Sequence, residues 1–377
     1  MVFCFTRVTE YDILYAIVGR ILPTGAAIAN GGMRMQEDLL SLLRSLAPEQ
    51  MEEIGRRAQV LTAVENMQPV GRRALALRLN LPEREVRAIA TSLRSQGLLQ
   101  MDAAGMQLTG KAVAVLPGAR ELSRTLFGIT KLEQDLETLL HIPSVTVVPG
   151  DADRDPQVLR NVGRAAAQRV HRLLQNGMTM AVGGGRTMLE VAAGMQPAGS
   201  MNVMVVPARG GVGSDVESQA NVIAADIAAR IGGRYRVIHL PDSLDQEALD
   251  EMRRLPEVEE VLGLMQQARL VVHGVGRADE MAMRRGLDSE TRKWLSERGA
   301  VGEAFGDFFN EQGETVYQMS TVSVGLGRFD TPPGLVAVAA GTGKAEAIIA
   351  AARHEGHDSL ITDEGAAGRI CDLLSGK

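Results

Sequence analysis

From Ser144 to the C-terminus, short apolar runs alternate with amphipathic stretches, and several of the runs end in glycine. The runs are Val145–Val148, Met178–Val182, Val203–Val206, Tyr235–His239, Leu270–His273, Leu335–Ala339 and Ser359–Ile361. Each has the length of a buried strand, and helical spacing separates most of them. That order predicts a Rossmann-like, doubly wound α/β domain, a largely parallel sheet with helices on both faces. In such a sheet, the loops at the carboxyl ends of the strands converge on the ligand crevice.

Three of those loops suit an anion. Segments 183–187, 206–214 and 341–345 combine glycine with a cation or hydroxyl: Arg186 and Thr187, Arg209 and Ser214, Thr342 and Lys344. Glycine turns opening onto helix N-termini present free N–H groups and the positive end of the helix dipole, which suits phosphate. One such loop is ordinary turn chemistry. Three at one sheet edge predict a small anionic ligand. Nucleotide motifs fail: Gly343 and Lys344 lack the preceding Walker glycine, and Ala345 stands where Ser or Thr belongs. The stretch Gly274–Asp279 lacks the third glycine of a dinucleotide fingerprint.

Nothing in the chain builds a catalytic set. There is no Gly-x-Ser-x-Gly elbow, and neither Cys4 nor Cys371 has a reactive setting. His354 and His357 are three apart without a partner set and read as a surface pair, so no metal is expected. His273 closes a buried run and reads as a histidine hydrogen-bonded at a strand end. Two cysteines make no disulfide framework, which fits a reducing cytoplasm. No catalytic residue, metal or cofactor is expected.

A second pattern occupies residues 70–109. Val86, Ile89, Ala90 and Leu93 fall at i, i+3, i+4 and i+7, one face of a helix from Pro82 to Gln96. Arg84, Arg87, Thr91 and Arg94 share a separate, solvated face. A shorter helix, Arg72 to Leu79, begins with Arg72 and Arg73 and leads in through a turn at Asn80. Gly97 stops the second helix, and Leu98–Met101 and Met106–Leu108 flank a turn, which suggests a hairpin. This is the layout of a winged helix-turn-helix, whose second helix is shaped for the DNA major groove. A merely solvated arginine face and a protein-binding module compete as readings of the helix alone; helix and hairpin together favour double-stranded DNA. Residues 51–100 carry eight Arg and no Lys against five Glu, a net of +3 in a chain of net −6. Such a local basic patch fits phosphate contact better than general coating of nucleic acid.

At 377 residues the chain exceeds one ordinary domain. The expected division starts with residues 1–34 as a non-native or disordered extension, translation beginning at Met33 or Met35. Residues 35–116 form the winged helix-turn-helix, with a first helix from about Arg56 to Asn66. Residues 117–142 form a linker helix, Glu121 to Leu140, after a break at Pro117. Residues 143–377 form the ligand-binding domain. The apolar run Tyr11–Leu22 is too short to span a membrane and is interrupted by Asp12 and Arg20, so no membrane partner is expected.

Taken together, the stretches Pro69–Leu75, Val206–Gly213, Ser218–Asn221, Val272–Gly276, Glu303–Gly306, Lys344–Ala347 and Thr362–Ala366 resemble the SorC-type bacterial transcription regulators. The resemblance runs from about Met35 to the C-terminus. It implies a body like the sugar-phosphate isomerases and deaminases that serves as a sensor, and a homo-oligomer, dimer or tetramer, on operator DNA. In the subgroup most like this chain, it implies repression of a glycolytic operon controlled by fructose 1,6-bisphosphate. Carried over by position, it implies one phosphate near Gly184, Gly185 and Thr187, cationic partners Arg209, Arg284 and Lys344, and sugar contacts from Gln219 and Glu303. Arg186 departs from the small hydroxyl residue that relatives tend to carry: it either adds a phosphate contact or points outward. Two alternatives stay open, a regulator of the same build answering another sugar phosphate and a sugar-phosphate isomerase or deaminase.

Overall fold

The computed structural model describes residues 42–43, 46–79, 81–197, 199, 201–210, 216–238, 240, 246–319 and 333–376. The expected extension at 1–34 lies outside them, as does Asn80. The described residues form two compact units that divide between Ser123 and Arg124.

The N-terminal unit opens with α1 (Pro48–Met67), begun by a proline at its first position and a glutamate in its first turn. It continues through α2 (Arg72–Leu79), α3 (Glu83–Ser95) and the hairpin β1 (Leu99–Met101) and β2 (Met106–Leu108). Val60, Leu61 and Val64 of α1 bury against Leu75, Val86, Ile89, Leu93, Leu99 and Met106, so one core joins all five elements. Val70 pairs with Met106 beside the hairpin, and a Cβ at Gly105 would stand 2.9 Å from the Val70 backbone. Only glycine permits that approach, at a φ of 136°.

Helix α4 (Gly110–Leu126) runs through Pro117, so the expected break there is corrected. Ala112 and Leu116 are buried while Val113 and Pro117 are exposed. The carbonyl deprived of a proline N–H therefore faces water, and the buried stripe sustains the helix. The break falls instead at Gly128, in the left-handed region, before α5 (Ile129–Leu140). The single helix expected over 121–140 is two.

The C-terminal unit alternates as expected: β3 (Val145–Val148), α6 (Pro156–Leu173), β4 (Thr179–Val182), α7 (Arg186–Gly194), β5 (Met204–Pro207), α8 (Ala220–Ile231) and β6 (Arg234–Tyr235). After α9 (Gln246–Met252) and α10 (Pro256–Gln266) comes β7 (Leu270–Gly274). An insertion follows: β8 (Gly276–Arg277), α11 (Ala278–Arg284), α12 (Ser289–Glu297), β9 (Ala300–Ala304), β10 (Asp307–Asn310) and β11 (Thr315–Gln318). The chain then returns through β12 (Gly334–Val338), α13 (Ala345–His354), β13 (Ser359–Asp363) and α14 (Glu364–Ser375). The strand expected at Tyr235–His239 is only β6, at an exposed sheet edge, and His239 lies outside the described residues.

The main sheet has seven parallel strands in the order β3-β13-β12-β7-β4-β5-β6. Successive strand residues serve opposite faces: Val272, Val338 and Val182 pack under α6, α7 and α8, whereas Val271, Ala337 and Leu360 face α5, α10, α13 and α14. From β4 the chain winds outward to β5 and β6, then crosses back to β7 on the other side of β4. The loops after β4 and β7 thus diverge at the switch point, where a doubly wound sheet opens its crevice. The insertion forms its own antiparallel sheet, order β11-β10-β9-β8, around Leu295, Phe308 and Met319. Among the described residues, no helix is long and apolar enough to cross a membrane.

Candidate functional site

At the switch point, Gly183–Gly185 turn the chain from β4 into α7. A Cβ at Gly183 would stand 3.2 Å from His273 Cβ, and one at Gly184 would stand 2.8 Å from the Ser218 carbonyl oxygen and 3.1 Å from Ala220 N. Glycine therefore lets β4 approach β7 and the start of α8. The Gly185 N–H donates to Ser218 O at 2.7 Å, so the protein already engages it. The first-turn N–H groups of α7, which have no intrahelical acceptor, are the donors left for an anion. Thr187 is buried in that turn, and Arg186 is exposed. Gln219, half-buried, stands at the N-cap position of α8 beside Gly184.

Lys344, in the 3-10 turn before α13, lies within electrostatic reach of Arg284 at the end of α11 and Arg186 at the start of α7. Burial pushes its amine below the ordinary lysine value, Glu280 and Asp153 pull it back up, and the two guanidiniums push it down again. Arg209 is buried just past β5, its guanidinium 3.7 Å from Met319 Sδ. Residues 211–215 of that loop lie outside the described residues.

Glu303 is buried on β9 opposite Gly276 of β8. Its Oε1 accepts from the Arg285 guanidinium at 2.6 Å and from the Gly306 N–H at 2.7 Å. The turn that positions it has Phe305 and Gly306 both at positive φ, 56° and 98°, and sets the Phe305 ring 4.5 Å from His273. Sequence reasoning named Arg284 and missed Arg285. Consecutive residues at a helix end differ only by about 100° of azimuth, and nothing in an Arg-Arg pair tells which one turns inward.

The loop 341–345 differs from expectation, because carboxylates of the chain itself hold its N–H groups. Gly341 N–H donates to Asp363 at 2.9 Å, Thr342 N–H to Asp151 at 3.3 Å and Gly343 N–H to Asp153 at 2.8 Å. The available signal was the Asp151, Asp153, Asp155 alternation after β3. His357 is likewise not a surface residue: it is buried, its Nε2 3.0 Å from His273 Nε2, while His354 stacks on Phe309. A cavity of about 690 Å³ between α11, α12 and β9 touches none of the expected ligand residues.

In the N-terminal unit, α3 buries Val86, Ile89, Ala90 and Leu93 and exposes Arg84, Arg87, Thr91 and Arg94. Arg72 and Arg73 are exposed on α2. Glu83 lies 3.6 Å from Arg73 and 3.8 Å from Arg87, and the Thr91 hydroxyl donates back to Arg87 O at 2.8 Å. Among the described residues, Arg72, Arg84 and Arg94 make no ion pair. Glu85, which sequence reasoning left aside, pairs with Arg56 and ties α3 to α1.

Two family models match the two units. The CggR N-terminal DNA binding domain matches residues 52–122, and the "Putative sugar-binding domain" matches 124–372. The central glycolytic genes regulator of Priestia megaterium is 40% identical over 335 residues, 88% of this chain and 98% of the relative. That of Bacillus subtilis is 35% identical over 333 residues, with the same coverage. A solved SorC family transcriptional regulator from Enterococcus faecalis is 38% identical, with a TM-score of 0.60 over 64% of this chain and 99% of that one. Full-length SorC, the sorbitol operon regulator of Klebsiella pneumoniae, shares the fold at 19% identity, with a TM-score of 0.60 over 85% of this chain and 97% of its own. The two curated relatives are named as regulators of glycolytic genes. With its DNA-binding head and sugar-binding body, the chain belongs to the SorC family of transcriptional regulators.

Proposed function

We propose that the chain represses a glycolytic operon and that fructose 1,6-bisphosphate, bound at the switch-point crevice, controls its grip on operator DNA. The carrying observation is that Arg284 and Arg186, the latter in the first turn of α7, lie within electrostatic reach of Lys344. A bisphosphate needs two separated anion sites, which charge-assisted bonds and backbone N–H groups supply. One phosphoryl group takes the first turn of α7 beside Gly184, Gly185 and Thr187. The other takes Lys344 with Arg284 and Arg209, Gln219 hydrogen-bonds the sugar hydroxyls, and Glu303 accepts from them. Operator contact falls to Arg84, Arg87, Thr91 and Arg94, with Arg72 and Arg73 on the preceding helix, in a dimer or tetramer.

The ligand shifts the DNA equilibrium only through different affinity for the DNA-competent and incompetent states. The test is fluorescence anisotropy of labelled DNA from upstream of the glyceraldehyde-3-phosphate dehydrogenase operon. Fructose 1,6-bisphosphate should alter binding where fructose 6-phosphate does not, and Lys344→Ala should bind DNA but ignore the ligand. An indifferent wild type discards the effector, and an equally sensitive Lys344→Ala variant discards the site.

A further inference from the structure

The loop after β3 sets a carboxylate where an anionic ligand would sit. Asp153 Oδ2 accepts the Gly343 N–H at 2.8 Å, and Asp153 Oδ1 lies 2.3 Å from where a Cβ on Gly341 would begin. A Cβ on Gly343 would stand 3.3 Å from Asp153 Oδ2 and 3.4 Å from an Arg277 nitrogen. The two glycines leave a notch that the carboxylate fills. Beside it, Arg277, Thr342, Gly343 and Arg369 line an open cavity of about 480 Å³.

Two cations reach the notch from different elements. Arg277 and Lys344 both lie within electrostatic reach of Asp153. Arg277 has carboxylates of its own, Asp279 at 2.7 Å and Glu280 at 3.6 Å. Lys344 has no carboxylate at ion-pair distance among the described residues, although burial disfavours its charge. A desolvated amine without a paired anion points to a ligand that brings the charge.

Three aspartates hold this loop, and only one is releasable. Asp363 is buried and accepts the N–H groups of Gly341, Ala152 and Ala366. Asp151, half-buried, accepts from the Thr342 N–H and hydroxyl and from the Asp153 N–H. Asp153 is exposed and takes one N–H of the loop, so it can turn to water at the loss of one hydrogen bond.

We propose that Asp153 is an internal competitor for anions: its carboxylate stands in for a phosphoryl group on Gly343 N–H beside Lys344, and ligand binding displaces it. That a second phosphoryl group of a sugar bisphosphate does the displacing rests on the function proposed above; the competition itself does not. A monophosphate seated at α7 leaves Asp153 in place, so the device makes the crevice answer bisphosphates.

The test is calorimetric titration of the full chain with inorganic phosphate, fructose 6-phosphate and fructose 1,6-bisphosphate. Asp153→Asn keeps an acceptor for Gly343 and removes the charge; Asp153→Ala removes both. Inorganic phosphate and the bisphosphate should bind both variants about tenfold more tightly than wild type, from relief of like-charge repulsion near the surface. Fructose 6-phosphate should be unchanged, and Lys344→Ala should cancel the gain. Unchanged or weaker phosphate binding in both variants, with wild-type melting temperatures, overturns the inference even where the bisphosphate still releases DNA. Tighter inorganic phosphate in the variants, with no effect of the bisphosphate on DNA, supports the competitor and sinks the effector assignment.

Discussion

The Glu303 carboxylate receives the Arg285 guanidinium at 2.6 Å on the same oxygen that accepts the Gly306 N–H, which leaves Oε2 toward Gly276. Both side chains are largely buried, at 4% and 16% exposure. A buried pair of this kind contributes little net stability, but removing one partner strands the other charge. Glu303→Gln should therefore lower stability by about 2 kcal/mol, read as the urea midpoint. Arg285→Met added to it should cost less than the sum of the two single changes, because each removes the same contact. Additive losses would mean that the two groups are not coupled.

Two glycines of the crevice should respond differently to alanine. At Gly184 the new Cβ meets backbone at 2.8 Å, and the start of α8 must shift; at Gly274 the nearest atoms lie at 3.7 and 3.9 Å, ordinary contact. Gly184→Ala should cost about 1–3 kcal/mol by overpacking and weaken phosphate-ligand binding on the order of tenfold, for a displacement of this kind. Gly274→Ala should bind ligand like wild type. Calorimetry and melting curves on the two variants check this, and a tolerated Gly184→Ala would remove the close approach from the site.

The His273–His357 contact should make stability fall on acidification. Burial, with His357 adding to it, lowers His273 from 6.5 to about 3, and burial lowers His357 from 6.5 to about 4. For both, the unfolded chain binds protons that the folded one refuses. The stability they contribute is whole above 6.5 and is lost as pH falls toward 4. Glu355 acts oppositely: burial, then Asp307, raises it from 4.5 to about 7, so its contribution is whole below 4.5 and fades as pH rises through 7. Two histidines outweigh one carboxyl between 4.5 and 6.5, so the melting temperature should drop from pH 6.5 to 5. His357→Gln should flatten that slope; an unchanged slope would place the acid sensitivity elsewhere.

The parallel sheet and the two-helix head were legible because burial leaves a period in the sequence. Runs such as Val271–Val272 and Val336–Val338 read as strands, and Val86, Ile89 and Leu93 read as a helix face, from spacing alone. The β8–β11 sheet was not read, since its strands are short and its core comes from Trp294, Phe308 and Tyr317 rather than from a periodic run. Their clustering in a chain with only 3% aromatic residues was the signal present. Within the site, Gly184 and Lys344 could be named from loop chemistry. Asp153 against Gly343 and Arg285 against Glu303 depend on which chain segments meet, 190 and 18 residues apart, which no local pattern encodes.

On the outer face of α2 and α3, the arginines should separate by their carboxylate neighbours. Glu83 lies 3.6 Å from Arg73 and 3.8 Å from Arg87, whereas Arg84 and Arg94 project from α3 with no ion pair among the described residues. Exposed pairs at these distances are weak, so a phosphate competes with Glu83 at small cost. Arg84→Ala and Arg94→Ala should each reduce the salt slope of DNA binding by about 1, the release of one counterion apiece. Glu83→Ala should tighten binding to random-sequence DNA several-fold, since it frees two guanidiniums and removes a repelling charge from the same face. Anisotropy titrations across a range of salt concentrations measure both effects. Wild-type slopes in the two arginine variants would take the outer face of α3 out of the interface and leave the wing and α2 to carry the contact.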